Sequence, residues 1–448
     1  MLERRGHALR AAAVTLLALV LRLVPFLAGS SSSARFVQQD SHAYLALGKH
    51  FDASYLHTTG TFFFQSIVRT PGYPALLSLV YALGGGMHAM IVLQILLAAA
   101  SVGLVYLVTL ELAGSRAALI ASLLLALDVP SILFADYVMT ETLFAFVLLL
   151  GTAFALRVRT GASPWWAVLA GLAFGLATLV RPITLYLPIV LAALLLVSLR
   201  ATPRARLTLA LVGIAAFAVP VGGWIARNAA ADSYVGLSPI DSINLLDYRA
   251  AGALASADGT SLAATRTSLH RKLAAQGYGD LTSPTLPAKE IPRSASAERS
   301  LAVRTLVHHP SGTVVMFVKG LRSLLLESAK GQLPQNLDRG HAGTRLVTPV
   351  GLLDYLVTAL VYVGALLSLL AIRRGNGRVV VPLTVALYIV LISAGPEAYA
   401  RFRVPLMPQL AICAGVGYAT ASLSRATRRT TENRSRTRRR STSNSSPR

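Results

Sequence analysis

The chain has 448 residues, 54% of them hydrophobic and only 14% charged, and its apolar residues come in blocks of about 17–25, the length that crosses a bilayer core. This excludes a soluble globular protein and predicts an all-α polytopic membrane protein of about ten transmembrane helices. Lysine and arginine total 42 against 19 acids, a formal +23, yet they fall mainly in the short connections between apolar blocks and in the tail, which argues against nucleic acid as the main partner and fits a chain oriented in an anionic membrane.

Arg4, Arg5 and Arg10 precede an apolar run from Ala11 to Leu27, longer than the roughly 7–15 residues of a signal-peptide core, so it reads as a retained first helix. Arg22 near its far end fits an interfacial anchor as well as a contact for an anionic headgroup. A polar, aromatic-rich loop follows, from Gln38 to Pro74. Pro71 to Leu83 is too short to span and ends at Gly84-Gly85-Gly86, so it is expected to lie at the outer interface. Spans are predicted over Met87–Leu112, Ala117–Phe134, Thr142–Leu156, Trp165–Val180, Ile183–Leu199 and Leu207–Ala226, then over Val350–Ile372, Val379–Ser393 and Val404–Leu423. With a cytoplasmic start, Arg116, Arg157, Arg159, Arg200, Arg204, Arg206, Arg373, Arg374 and Arg378 all fall on the inner side.

Four regions follow: residues 1–227 as an N-terminal transmembrane module with its outer loop at 30–86; 228–349 as an outer cap, partly irregular, with an amphipathic helix at Val314–Leu326; 350–423 as the C-terminal helices; and 424–448 as a disordered basic cytoplasmic tail. The tail is expected to meet anionic lipid, with RNA as the alternative. The protein is expected to lie in the inner (plasma) membrane, multi-pass, with both termini cytoplasmic. Cys413, the single cysteine, sits in an apolar run and reads as a small core residue, so no disulfide framework exists within the chain.

Polar chemistry collects on the outer side. Asp40 and Tyr44 stand one helical turn apart, which places acid and phenol on one face of a helix, although on spacing alone Asp40 reads equally as a helix cap or a solvated aspartate. Arg69 precedes Thr70-Pro71-Gly72-Tyr73-Pro74, where Pro71 suits a first helical turn whose free amides and dipole favour an anion such as phosphate. Glu397 lies at helical spacing from Arg401, so an ion pair between them competes with a substrate contact.

Taken together, Asp40-x-x-x-Tyr44, Arg69 to Pro74, Thr140-Glu141-Thr142-Leu143-Phe144, Val180-Arg181-Pro182 and Ala400-Arg401-Phe402-Arg403-Val404-Pro405, in this order, resemble the membrane glycosyltransferases of the GT-C superfamily, in particular the protein O-mannosyltransferase and aminoarabinose-transferase relatives. The resemblance runs from the first span to the last, thins over Arg227 to Pro349 and stops before the tail. It implies a GT-C fold, a polyprenyl-phosphate sugar donor, a lipid, glycan or protein acceptor in the cell envelope, and transfer at the outer face. By the same resemblance Asp40 is the general base, while Arg69, Arg181, Arg401, Arg403 and Tyr44 bind donor phosphate and Glu141, Tyr73 and Glu397 bind substrate. The family carries two adjacent acids in the first loop, but Ser41 follows Asp40 here, so no second acid is expected at that place. No sizeable soluble domain is expected after the last span.

A divalent ion stays open as a cofactor, because His42, His50 and His57 accompany Asp40 and His308, His309 and His341 lie in the cap, none at His-x-x-x-His spacing. A serine-nucleophile enzyme has no Gly-x-Ser-x-Gly turn to rest on. A transporter or lipid flippase is the rival class, but it places ionisable residues mid-span and often repeats its halves, which this chain does not.

Overall fold

The computed structural model describes residues 2–29, 33–51, 67–161, 163–199, 201–232, 234–283, 285–332 and 341–422, and these form helices and turns with no strand among them. His57 and the 424–448 tail, both singled out above, lie outside the described residues. Among the described residues, five helices are long and apolar enough to cross a membrane: Leu2–Gly29, Met87–Ala126, Glu141–Gly161, Pro203–Asp232 and His341–Arg373. Shorter apolar helices stand among them at Pro164–Val180, Leu187–Ser198, Val380–Ser393 and 407–422.

The outward faces are apolar. Leu352, Leu356, Leu360, Val363, Leu366 and Leu369 recur every three or four residues along His341–Arg373 and are all exposed, the stripe expected where a helix meets lipid. Between helices, small residues permit close approach, as lipid-embedded packing requires. A Cβ on Gly171 would stand 2.2 Å from the carbonyl oxygen of Gly213, and one on Gly417 would stand 2.0 Å from that of Gly364.

Gly114, at φ +83°, breaks the Met87–Ala126 run where the sequence predicts a connection beside Arg116. At this end of the bundle Arg10 donates to Ser115 at 2.6 Å, Arg157 pairs with Glu111, Asn376 caps Leu112 at 3.0 Å and Arg374 reaches the carbonyl of Thr420 at 3.1 Å. Arg10, Arg157 and Arg374 therefore share one end of the molecule, and Arg200 lies outside the described residues.

The structure moves two boundaries. The span expected over Ala117–Phe134 stops at Ala126, because Asp128 accepts from the Ser131 amide at 3.0 Å and, with Pro130, starts a separate helix at Val129–Leu133. The span expected from Ile183 opens instead at Leu187, after a 3-10 turn at Pro182–Thr184. The cap is also more regular than its serine- and proline-rich sequence predicts. Ala250 to Thr267, within the stretch expected to be partly irregular, folds into Ala251–Asp258 and the start of Leu262–Ala275, followed by Ile291–His308, while Pro310–Leu326 covers the helix expected at Val314–Leu326. Leu246, Ala250, Leu269, Leu273 and Ala302 give it a small core of its own.

Candidate active site

The helix Gln39–Lys49 is closed at its start by Ser41, whose hydroxyl accepts from the Gln38 amide at 2.9 Å. Asp40 is thereby left free of the capping role. Its Oδ1 accepts from Arg69 Nη2 at 2.7 Å and its Oδ2 from Arg401 Nη1 at 3.0 Å. Burial raises the Asp40 pKa, but the two guanidinium groups outweigh it and hold the carboxyl below the usual carboxylate range. Burial opposes the charge on Arg401 as well, and Glu141, Tyr399 and Asp40 more than restore it.

Tyr44 lies one turn beyond Asp40 and is buried, with the Arg69 guanidinium 5.3 Å from its ring centroid and the Tyr73 ring edge-on at 5.0 Å. It orients Arg69 through its π face. The Arg69–Pro74 turn is locked from three sides. Thr70 donates to the Val180 carbonyl at 3.3 Å, next to Arg181, and a Cβ on Gly72 would stand 2.8 Å from the backbone of Leu179, so only glycine fits. Tyr73, wholly buried, donates to Gln94 at 2.6 Å.

Glu141, also wholly buried, accepts through Oε1 from both Arg181 and Arg401. Arg181 and Arg401 share Phe402 as a platform, at 5.2 and 5.9 Å from its ring centroid. A continuous chain therefore runs from Arg69 through Asp40, Arg401 and Glu141 to Arg181. Asp40, Tyr44, Arg69, Arg181 and Arg401 line a cavity of about 2620 Å³ whose opposite wall is the cap. Three guanidinium groups face two carboxylates here, an excess of positive charge suited to an anion.

Four expected contacts fall elsewhere. Tyr73 is sealed behind Tyr44, does not line the cavity, and holds Gln94, which in turn donates to the carbonyls of Ala135 and Tyr137. Arg403, 1% exposed, points away from the cavity and binds Asp354 at 2.8 Å and the Glu327 carbonyl at 3.0 Å. Glu397 reaches the cavity but pairs with Arg249 at 2.9 Å and not with Arg401. Glu141 supports the arginines from behind and does not line the cavity.

Phe402 and Arg249 were missed by sequence reasoning. Phe402 had a signal, since it sits inside the quoted Arg-Phe-Arg run, whereas Arg249 had none. No grouping with metal-ligand spacing surrounds Asp40 among the described residues; the one such grouping lies in the cap at His270, Asp280 and Glu298.

Asp136 lies in the irregular stretch between Leu133 and Glu141. It is 1% exposed, neither oxygen has a hydrogen-bond partner among the described residues, and burial, only partly offset by Arg22, pushes its pKa up to about 8. Between the unfolded value of 3.8 and about 8 the folded chain keeps a proton that the unfolded chain has released, so stability falls as pH rises, by up to ~1.4 kcal/mol per pH unit. Asp136→Asn removes this dependence. Its thermal midpoint in detergent should match the wild type near pH 4 and exceed it increasingly toward pH 8; a difference that stays constant with pH would contradict the assignment.

The all-helical fold is the one seen in solved oligosaccharyltransferase structures, and the chain is a multi-pass membrane protein. Residues 68–224 match the family described as dolichyl-phosphate-mannose-protein mannosyltransferase. Among solved structures the chain is similar to the oligosaccharyltransferase AglB from Archaeoglobus fulgidus in complex with an inhibitory peptide and a dolichol-phosphate, at a TM-score of 0.53 and 16% identity over 96% of this chain and 52% of that one. The apo Archaeoglobus fulgidus oligosaccharyltransferase gives 0.54 and 15%, over 95% and 52%. ArnT from Cupriavidus metallidurans bound to undecaprenyl phosphate gives 0.43 and 17%, over 92% and 78%. The chain spans about half the length of the archaeal enzymes it matches. No curated protein matches it.

Proposed function

We propose that the protein is a glycosyltransferase that moves a sugar from a polyprenyl-phosphate-linked donor to a cell-envelope acceptor at the outer face of the plasma membrane. The observation that carries this reading is the convergence of Arg69, Arg181 and Arg401 on Asp40 and Glu141 at one cavity wall. A lipid phosphate entering the cavity competes with Asp40 for Arg69 and Arg401. Each guanidinium that turns to the phosphate stabilises the negative charge that grows there as the sugar departs.

The same exchange releases Asp40. Stripped of its two cations, its carboxylate becomes a stronger base and takes the proton of the acceptor hydroxyl as that oxygen bonds to the anomeric carbon. The bond from anomeric carbon to phosphate oxygen breaks, and its electron pair leaves with the polyprenyl phosphate. Because the leaving group is a weak base, no general acid is required. Arg181 and Glu141 hold Arg401 in place from behind. The cap closes the far side of the cavity, and its polar wall faces the acceptor.

The test is turnover by the purified chain in detergent, offered a panel of polyprenyl-phosphate sugars with a membrane extract as the source of acceptor. Sugar transfer is expected with at least one donor. Arg69→Ala should weaken donor binding by about 10- to 100-fold, the loss of one charge-assisted contact. No transfer together with no measurable binding of any polyprenyl phosphate would overturn the reading and bring a lipid transporter forward.

A further inference from the structure

The cap brings three potential metal ligands together from separate elements: His270 on Leu262–Ala275, Asp280 on the loop that follows, and Glu298 on Ile291–His308. One ligand atom from each lies within 4.8 Å of the others. Asp280 Oδ1 stands 3.7 Å from His270 Nδ1, close to the edge of about 3.4 Å expected for a tetrahedron with bonds of about 2.1 Å.

The surroundings orient this group. His270 Nε2 lies 2.6 Å from Asp247 Oδ1, and a proton held between them leaves the Nδ1 lone pair turned toward Asp280. The amide of Leu281 fixes Glu298 Oε1 at 3.3 Å, and the amide and hydroxyl of Thr282 fix Asp280 Oδ1, both at 2.7 Å. Glu298 Oε2 remains without a partner among the described residues, although the residue is 1% exposed. A buried carboxylate oxygen left unpaired beside a histidine and a second carboxylate is costly unless a cation completes it.

We propose that His270, Asp280 and Glu298 bind one divalent transition-metal ion, Zn2+ or Mn2+, in the cap, with Asp247 orienting the histidine. One imidazole and two carboxylates suit these ions better than a thiolate-seeking or an all-oxygen cation. Because His270, Asp280 and Asp247 line the cavity that Asp40 also lines, the ion stiffens the wall facing the arginines. Three protein ligands leave a further position for water or for an oxygen of a molecule in the cavity.

The site is independent of whether the chain transfers sugar, and its test reads ion binding. The full chain in detergent, stripped with chelator, is titrated with Zn2+ and separately with Mn2+ by calorimetry, and its metal content is then measured. One ion per chain is expected. Glu298→Gln, His270→Gln and Asp280→Asn should each weaken it by at least about 10-fold, and Asp247→Asn by about 10- to 100-fold. Asp40→Asn should bind as the wild type does. The Asp280 side chain is 46% exposed, so Asp280→Asn keeps the test valid if the buried variants unfold. Absence of saturable binding, unchanged affinity in Asp280→Asn, or loss of binding in Asp40→Asn would overturn the proposal.

Discussion

Asp40→Asn lowers kcat for sugar transfer by about 10²- to 10⁴-fold, the range for removing a positioned general base. Donor affinity should hold or improve, because the asparagine no longer competes with phosphate for Arg69 and Arg401. This split between kcat and binding separates a base from a structural anchor, whose loss would disturb the arginines and weaken donor binding as well. The pH profiles carry the same information. In the free chain the two guanidinium groups hold the Asp40 pKa below the usual carboxylate range, so the acid limb of kcat/KM lies below that range too. Once the donor phosphate has drawn those groups away, the carboxylate regains basicity and the acid limb of kcat lies at higher pH. Asp40→Asn with undiminished turnover would remove Asp40 from the chemistry, and wild-type limbs at the same pH would deny the exchange of arginines between carboxylate and phosphate.

Much of this wall is legible in sequence because it is built from short-range geometry. The four-residue step from Asp40 to Tyr44 does place both on one helix face, whereas Arg181 and Arg401, which join Arg69 at this wall, are indicated only by the resemblance of their motifs. What sequence cannot convey is which polar residue is turned inward. Tyr73 and Glu141 sit in motifs that read as substrate contacts, yet burial turns one to Gln94 and the other to the backs of two arginines. Glu397 and Arg401 have helical spacing, but no α-helix joins them: a turn closed by the Ala398 amide on the Gly395 carbonyl precedes a 3-10 turn at Ala400–Arg403, and Glu397 meets Arg249 from the cap instead. The cap helices before Pro310–Leu326 give a weak signal for a related reason. Their apolar faces are narrow and bury against each other around Leu246 and Leu269, so the periodic signal is weak in each segment taken alone.

The pair Arg401 and Arg403 shows how two residues of one motif part company. A 3-10 turn rotates about 120° per residue, so side chains two positions apart face different directions. Arg401 faces Asp40 and the cavity, while Arg403 is driven into the protein against Asp354 and two main-chain carbonyls. Arg403→Ala should therefore destabilise the folded chain by about 3–5 kcal/mol, since it strands a buried carboxylate. Replacing both partners together, as Arg403→Met with Asp354→Leu, should recover much of that loss, because neither charge then remains unpaired in the interior. Thermal unfolding in detergent measures both effects. Donor affinity of the double variant, measured on folded protein, should match the wild type, whereas Arg401→Ala should weaken donor binding with a smaller loss of stability. A stable Arg403→Ala chain that no longer binds polyprenyl phosphate would return Arg403 to the phosphate site and make its pairing with Asp354 incidental.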